Sequence, residues 1–191
     1  MSQRFDLFTP MHKGLRAMLF DLATDAARID MASEIAVDLL VERVLRVLAF
    51  LDEHARHEEV HLMPAVRAAA PELSRRLADD RIVIAAAHSE VELCADDLEL
   101  AAPDQRREVC AQLVRLLNLL IVQYLAHMGR KEVEANAALW ASHTDEQLAA
   151  LHERQVSSVP PDRYTQWMLV IVPAVDPVDR RSLAQVHSPG G

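Results

Sequence analysis

Four long segments with helical periodicity, separated by turn signals, constrain the fold of this chain most strongly. The first begins at Thr9 and Pro10, which are typical of an N-cap followed by the first helical position, and it runs to about Arg28. The second begins at Ser33, and its apolar residues recur at the helical period, which predicts a buried stripe. The expected members of that stripe are Ile35, Leu39, Leu40, Val44, Val47, Leu48 and Leu51.

Prolines mark the boundaries of the next two helices. Pro64 removes one helical hydrogen bond and predicts a kink near the end of the second helix. Pro71 marks the turn into a third helix of about residues 72–101. The turn AAPDQRRE then leads into a fourth helix, which we expect to extend to about Ser142.

The last quarter of the chain is expected to form an appendage to these helices. Thr144 with Gln147 predicts a capping box for a shorter helix, and the apolar but proline-interrupted stretch after it indicates short helices. The terminal HSPGG is expected to be frayed. We therefore predict an all-α fold: an up-and-down four-helix bundle over residues 1–142, with a helical extension over residues 143–191 packed on it.

Charge and cysteine usage exclude several classes of protein. The net charge of −9 argues against a surface that follows phosphates, so nucleic acid is not an expected partner. Cys94 and Cys110 lack a CxxC spacing and are expected to be buried thiols in a reducing cytoplasm. The longest apolar tract, residues 113–126, is short and contains Arg115, so no membrane span is expected.

The stretch DEHARHEEVHLMP, residues 52–64, concentrates histidines and carboxylates just after an apolar run. On a helix, side chains four residues apart share a face, so His54 and Glu58 can hold one ion. His61 extends that face and His57 borders it. Imidazole nitrogen combined with carboxylate oxygen suits iron, zinc or manganese better than calcium or magnesium. A single such pair also occurs on ordinary solvated helices, so other helices must supply ligands.

The other helices do supply histidines at a matching level. In an up-and-down bundle, residues equally far from a turn lie at the same height. The predicted set, one histidine per helix, is His12, His54, His88 and His127. The first two centre on the first predicted turn and the second and third centre on Pro71, while the last two centre about four residues beyond the third turn, roughly 6 Å along a helix. The spacing therefore predicts a shared transition-metal site.

The motifs MHKGLR, HARHEE followed by LMP, AAAHSE and YLAHMGRKE resemble those of the hemerythrin-like, HHE cation-binding family over about residues 9–141. The C-terminal WMLVIVPAVDPVDRRSLA is similar to the tail of bacterial members. The resemblance implies a four-helix bundle around two irons bridged by oxygen and carboxylates, which binds dioxygen, nitric oxide or peroxide, or responds to iron. It implies as ligands His12, His54, Glu58, His88 and His127.

The fourth helix departs from the pattern of many family members. Lys131 stands four residues after His127, where an acid is common, and the acid comes one residue later at Glu132. Glu132 can share an ion with His127 only if the helix bulges locally, which Gly129 would ease. In the alternative, Glu132 faces water and Lys131 faces the site.

Two further residues have open roles. Glu92 lies on the His88 face of the third helix, where oxygen carriers have a second histidine, and either ligates a metal or is solvated. His61 is either an extra ligand or a hydrogen-bond donor outside the ligand shell, whereas His57 is expected to be solvated.

The resulting hypothesis is a non-haem di-iron protein that binds or senses a small oxidant, with oxo- and carboxylate-bridged irons and with zinc or manganese as possible substitutes. Its expected ligands are His12, His54, Glu58, His88, His127 and Glu132. One alternative is a redox enzyme that decomposes peroxide or repairs iron centres. Another is a metal-poor or iron-responsive module that contacts a protein partner or a second copy of the chain.

Overall fold

The computed structural model describes residues 4–177 and residue 180, and their regular secondary structure is helical, as predicted, with no strand. The four long helices are α1 (Thr9–Arg28), α2 (Glu34–His61), α4 (Pro71–Leu100) and α5 (Arg106–Arg130), and α3 (Met63–Ala69) lies between α2 and α4. The terminal segment predicted to be frayed lies outside the described residues.

The fourth predicted helix is continuous but not uniform. After α5 it passes through a π-helical segment, Lys131–Ala135, and continues as α6 (Asn136–Ser142). Two more helices follow, α7 (Asp145–Ser157) and α8 (Pro161–Ala174). The capping box predicted from Thr144 and Gln147 is present at the start of α7.

Two of the predicted helix boundaries are confirmed by local chemistry, and one is shifted. The Ser33 side chain accepts a hydrogen bond from the Ala36 amide and caps α2. Pro64 is the second residue of α3, so the helix breaks immediately before it as predicted. The cap of α1 is Phe8, which places Thr9 inside the helix instead of at its N-cap.

Two members of the predicted buried stripe of α2 are wrong. Ile35 is 73% exposed and Leu39 is 60% exposed. At about 100° per residue, both lie roughly opposite Val44, which is fully buried. The stripe that the helix does bury consists of Val37, Leu40, Val41, Val44, Val47, Leu48 and Leu51.

The interior is divided into two hydrophobic clusters. The large cluster includes Leu15 of α1, Leu51 of α2, Ile84 of α4 and Met128 of α5. The small cluster includes Phe8, Leu62, Leu77 and Ala135. In each of these stretches of the chain, polar residues separate the member of the small cluster from the member of the large cluster. Between them lies a set of polar residues, here called the polar layer: His12, His54, Glu58, Asp80, Arg81, His127 and Lys131.

Contacts between the helices enclose this layer. Helix α4 packs against α5 and α2, and α1 packs against α5, α2 and α8. The approach of α8 is close at Gly14, where a Cβ atom would lie 3.1 Å from the Ile171 Cα and 3.2 Å from the Val170 carbonyl oxygen. Glycine at this position therefore lets α8 pack directly on α1.

The helical stretch Arg106–Ser142 is long and apolar enough, by length and composition alone, to cross a membrane. Its most apolar window has a mean hydropathy of 1.6, and 33% of that window is buried inside the structure. The core helix of a soluble bundle passes the same test, so this property alone is weak support for a membrane span.

Candidate metal centre

All four histidines singled out by their spacing line one cavity. Its volume is about 70 Å³, which is room for an ion with a few small ligands. Its polar lining residues are His12, Asp52, His54, Glu58, Arg81, His88, Tyr124, His127 and Lys131. The apolar lining consists of Leu15, Ala55, Ile84, Ala85 and Met128. The long helices therefore bring their chemistry-bearing side chains to one place.

Three of these side chains form a group compact enough to share one ion. Ligand atoms of His12, His54 and Glu58 all lie within 4.8 Å of one another. His12 Nε2 lies 3.4 Å from Glu58 Oε1, and His54 Nε2 lies 3.4 Å from Glu58 Oε2. The three residues are buried, with exposed fractions of 0%, 4% and 2%.

Glu132 of the π-helical segment fixes the orientation of the His12 ring through the ring nitrogen Nδ1. His12 Nδ1 donates to Glu132 Oε1 at 2.8 Å, and Arg16 donates to Glu132 Oε2 at 2.8 Å. Burial raises the pKa of Glu132, but these hydrogen bonds lower it below its usual value. Glu132 thus acts as an acceptor behind His12, the arrangement that commonly orients a metal-ligating histidine.

The inner nitrogen of His12 is left in an unfavourable environment. His12 Nε2 lies 3.4 Å from Oε1 of the Glu58 carboxylate, on the side of the ring opposite Glu132. Neither His12 Nε2 nor His54 Nδ1 has a hydrogen-bond partner, although both atoms are buried. Buried unpaired polar atoms cost free energy, so a cation between His12 and Glu58 would stabilise both.

His127 shows the same outward pairing on α5. Its Nδ1 donates to Asp80 Oδ2 at 3.2 Å, and Arg130 holds that carboxylate at 2.9 and 2.8 Å from its two oxygens. Burial, with the positive charge of Lys131, lowers the pKa of His127 to about 4. The imidazole is therefore neutral at neutral pH, which is the form that binds metals. Its Nε2 carries the lone pair that a metal ion would use.

His88 lies farther from the compact group. Its Nε2 donates to the Leu48 carbonyl oxygen at 3.2 Å and lies 3.7 Å from Asp52 Oδ1. Leu48 precedes His54 by six residues, so His88 sits toward the large cluster. The spacing argument placed the turn at Pro71, but α3 separates α2 from α4 and offsets the levels of the two helices.

Lys131 points into the site. Its side chain is 5% exposed, and its Nζ donates to Glu58 Oε2. The bulge that the sequence required for Glu132 is present as the π-helical segment, yet Glu132 reaches His12 of α1. The inward lysine of the second alternative is observed, but Glu132 does not face water, because its side chain is 17% exposed and paired with His12.

The ionisation of the compact group follows from burial and its neighbours. Burial lowers the pKa of His54, although the nearby Glu58 carboxylate partly opposes that change. Burial would raise the pKa of Glu58, but His54 and Lys131 hold it well below its usual value. The group thus combines a carboxylate with His54 in its neutral form, which is the protonation state needed for a metal ligand.

Several residues around the site were not identified from the sequence. Asp80 is distant in sequence from His127, and Arg16, four residues after His12, pairs with Glu132 of another helical segment. Trp167 of α8 lies with its ring centroid 6.5 Å from that of His54, and its Nε1 donates to Glu53 Oε2 at 3.2 Å. These contacts join distant parts of the chain, so no local pattern predicts them.

His57, His61 and Glu92 lie outside the cavity lining. His57 and His61 stack on the outer face of α2 with ring centroids 6.1 Å apart, and His57 Nδ1 lies 3.1 Å from Ser158 Oγ. Glu92 is exposed on α4, in agreement with the solvated alternative.

Comparison with known proteins identifies a family. A family model described as the hemerythrin HHE cation binding domain matches residues 4–139, which include every residue of the polar layer. No curated protein and no solved structure matches the chain significantly.

Proposed function

The chain belongs to the hemerythrin HHE cation-binding domain family, and from that premise we propose that it binds non-haem iron in the cavity of an up-and-down helical bundle. His12, His54 and Glu58 would hold the ion, with His127 close by on α5. Two imidazoles and a carboxylate suit iron, and zinc and manganese accept the same ligand types.

The observation that carries this proposal is a buried ring nitrogen without a hydrogen-bond partner, which faces a buried carboxylate. His12 Nε2 and Glu58 Oε1 face each other at 3.4 Å, while the opposite nitrogen of His12 is tied to Glu132. A side chain arranged for stability alone would pair both ring nitrogens. The arrangement is what a cation site requires, because the ion replaces the missing donor.

We propose that the bound iron binds or senses a small oxidant. Iron held by few protein ligands keeps open positions at which dioxygen, nitric oxide or peroxide binds. Leu15, Ile84 and Met128 give the cavity an apolar lining beside its polar residues. A volume of about 70 Å³ accommodates ligands of a few atoms.

Reconstitution with iron tests the proposal. The full chain is loaded anaerobically with Fe²⁺, separated from free metal, and assayed for iron and for absorption under nitrogen, air, nitric oxide and peroxide. We expect iron to be retained and the absorption to depend on the added ligand. Peroxide consumption beyond one equivalent per site would assign catalysis to the same centre.

Two histidines on α2 provide matched variants. His54→Ala should lose the iron because it removes a buried donor, whereas His57→Ala, three residues on and outside the cavity, should retain it. Circular dichroism checks that both variants remain helical. If wild type retains no more iron than His54→Ala, the proposal is wrong.

One observation favours a second candidate function. The ion pair of Lys131 with Glu58 supplies a positive charge inside the site without a metal. A module that works without metal, through contact with a protein partner or a second copy, would retain such a pair. Under that function wild type would bind no iron, and adding iron would not change its thermal stability.

A further inference from the structure

We infer that this centre takes one metal ion and not two, because the ammonium of Lys131 occupies the place of the second cation. The inference rests on the proposed function, since it concerns how many ions the same cavity holds. It also differs from the di-iron centre that the family resemblance implies.

The first reason is the state of the Glu58 carboxylate. A carboxylate that bridges two metals uses one oxygen for each. Oε1 faces His12 Nε2, but Oε2 accepts a hydrogen bond from Lys131 Nζ and also lies 3.4 Å from His54 Nε2. Only the oxygen on the His12 side is free of a cation, so Glu58 is arranged to serve one ion.

The second reason is the supply of donors for another ion. His88 has one nitrogen engaged with the Leu48 carbonyl, and His127 has one engaged with Asp80, so each offers a single nitrogen. Among the described residues, the carboxylates lining the cavity are Glu58 and Asp52, and the Asp52 side chain is 61% exposed. The part of the cavity near His127 therefore lacks a buried carboxylate of its own.

The third reason is charge. Glu58 and Lys131, both nearly fully buried, cancel each other. One divalent ion already leaves an excess of positive charge beside Lys131. A second would stand near both the first ion and the ammonium in a low-dielectric interior, where like charges repel strongly.

The single-ion centre has a recognisable donor set. Two histidines and one carboxylate, His12, His54 and Glu58, make up the ligand shell of many mononuclear non-haem iron sites, which leave positions open for a small ligand. In this chain Lys131 then lies at the edge of the site and lines the same cavity.

Metal stoichiometry tests the inference. Zn²⁺, which has no redox chemistry, is titrated into the metal-free full chain by calorimetry, and bound metal is measured by elemental analysis after removal of excess. All proteins carry His57→Ala, so that the stacked pair of His57 and His61 outside the cavity does not bind zinc. We expect one ion per chain for wild-type Lys131.

Lys131→Glu is expected to bind two ions. The change removes the ammonium, frees Glu58 Oε2 and adds a carboxylate four residues after His127, on the same helix face. Loss of the nearby positive charge should also tighten the first site by about tenfold or more. Arg46→Glu makes the same change of charge on an exposed part of α2, where the Arg46 side chain is 69% exposed, and should still bind one ion.

Lys131→Gln is a second variant that tests the inference if Lys131→Glu misfolds. It removes the positive charge of Lys131 without adding a carboxylate. We expect it to bind a second Zn²⁺ more weakly than Lys131→Glu does. Two ions in wild type would overturn the inference and leave the proposed function standing. No bound ion in wild type would overturn both. One ion in wild type and in both Lys131 variants would show that the lysine does not set the number.

Discussion

At the scale of the residue, three histidines that line the cavity share one hydrogen-bond arrangement. His12, His127 and His88 each pair one ring nitrogen with an acceptor outside the cavity lining, respectively Glu132, Asp80 and the Leu48 carbonyl. The pairing fixes which ring nitrogen carries the proton. It leaves the lone pair of the other nitrogen available to a metal ion. Residues outside the cavity lining therefore orient the histidines that line the cavity.

Replacing Glu132 tests this orienting role. Glu132→Ala should weaken Zn²⁺ binding by about 10–100-fold, because His12 loses the acceptor that holds its ring. Glu132→Gln should bind nearly as well as wild type, since an amide oxygen can still accept from His12 Nδ1. Calorimetric titration of the metal-free chain gives the affinities.

Glu134→Ala is the matched control for Glu132→Ala. Glu134 stands in the same π-helical segment but pairs with Arg76 and Arg130 away from the cavity, so its loss should leave affinity unchanged. If Glu132→Gln proves as damaging as Glu132→Ala, Glu132 is a direct ligand, as the sequence predicted, and not an orienting group.

The sequence was informative about which residues meet and less so about what each does. Equal spacing from the turns predicts that four histidines approach one level, and they line one cavity. The same reasoning could not choose between Lys131 and Glu132, because a single-residue change in helical phase decides which faces inward. Their roles as ligands remain predictions.

At the scale of the element, two glycines in long helices have different environments. At Gly14 an added Cβ would press on the backbone of α8, at 3.1 Å from the Ile171 Cα. At Gly129 an added Cβ meets nothing within 4 Å. One glycine permits a helix contact, whereas the other only lowers helix propensity.

Alanine at these two positions should change stability in opposite directions. Gly14→Ala should destabilise the protein by about 1–3 kcal/mol, since α8 must move from α1. Gly129→Ala should stabilise it by up to about 1 kcal/mol, through helix propensity alone. Urea denaturation measures both. A destabilising Gly129→Ala would mean that the π-helical segment depends on glycine two residues before it.

Helix boundaries were predicted well because their signals are local. Ser33, Pro64 and the Thr144 capping box act through neighbouring backbone groups, and each has the predicted effect. Packing of α8 on α1 and the exposure of Ile35 depend on distant partners, so the local pattern could not determine them.

At the scale of the whole molecule, the polar layer interrupts what would otherwise be one hydrophobic core. Phe8 and Leu15, about two helical turns apart, belong to different clusters, and His12 stands between them. Burying an ion pair in such a layer commonly contributes less stability than apolar side chains of similar size. The polar layer is therefore expected to lower the free energy of unfolding, and the proposed metal binding accounts for its presence.

A double-substitution cycle measures this cost in the metal-free protein. Glu58→Met and Lys131→Met should each destabilise it by about 3–5 kcal/mol, because each leaves a buried charge without its partner. The combined variant should recover fully or exceed wild type by about 1–4 kcal/mol. Urea denaturation gives the four free energies of unfolding. A combined variant as unstable as the sum of the single variants would mean that Glu58 and Lys131 contribute to stability independently, which would contradict this prediction.

The position of Trp167 gives the protein an intrinsic optical probe. The chain has two tryptophans, and Trp167 lies beside His54, whereas Trp140 packs with the small cluster and donates to the Phe5 carbonyl. A paramagnetic ion near His54 would quench the emission of the first indole far more than that of the second. Filling of the site can thus be followed by fluorescence, without labels, in the intact chain.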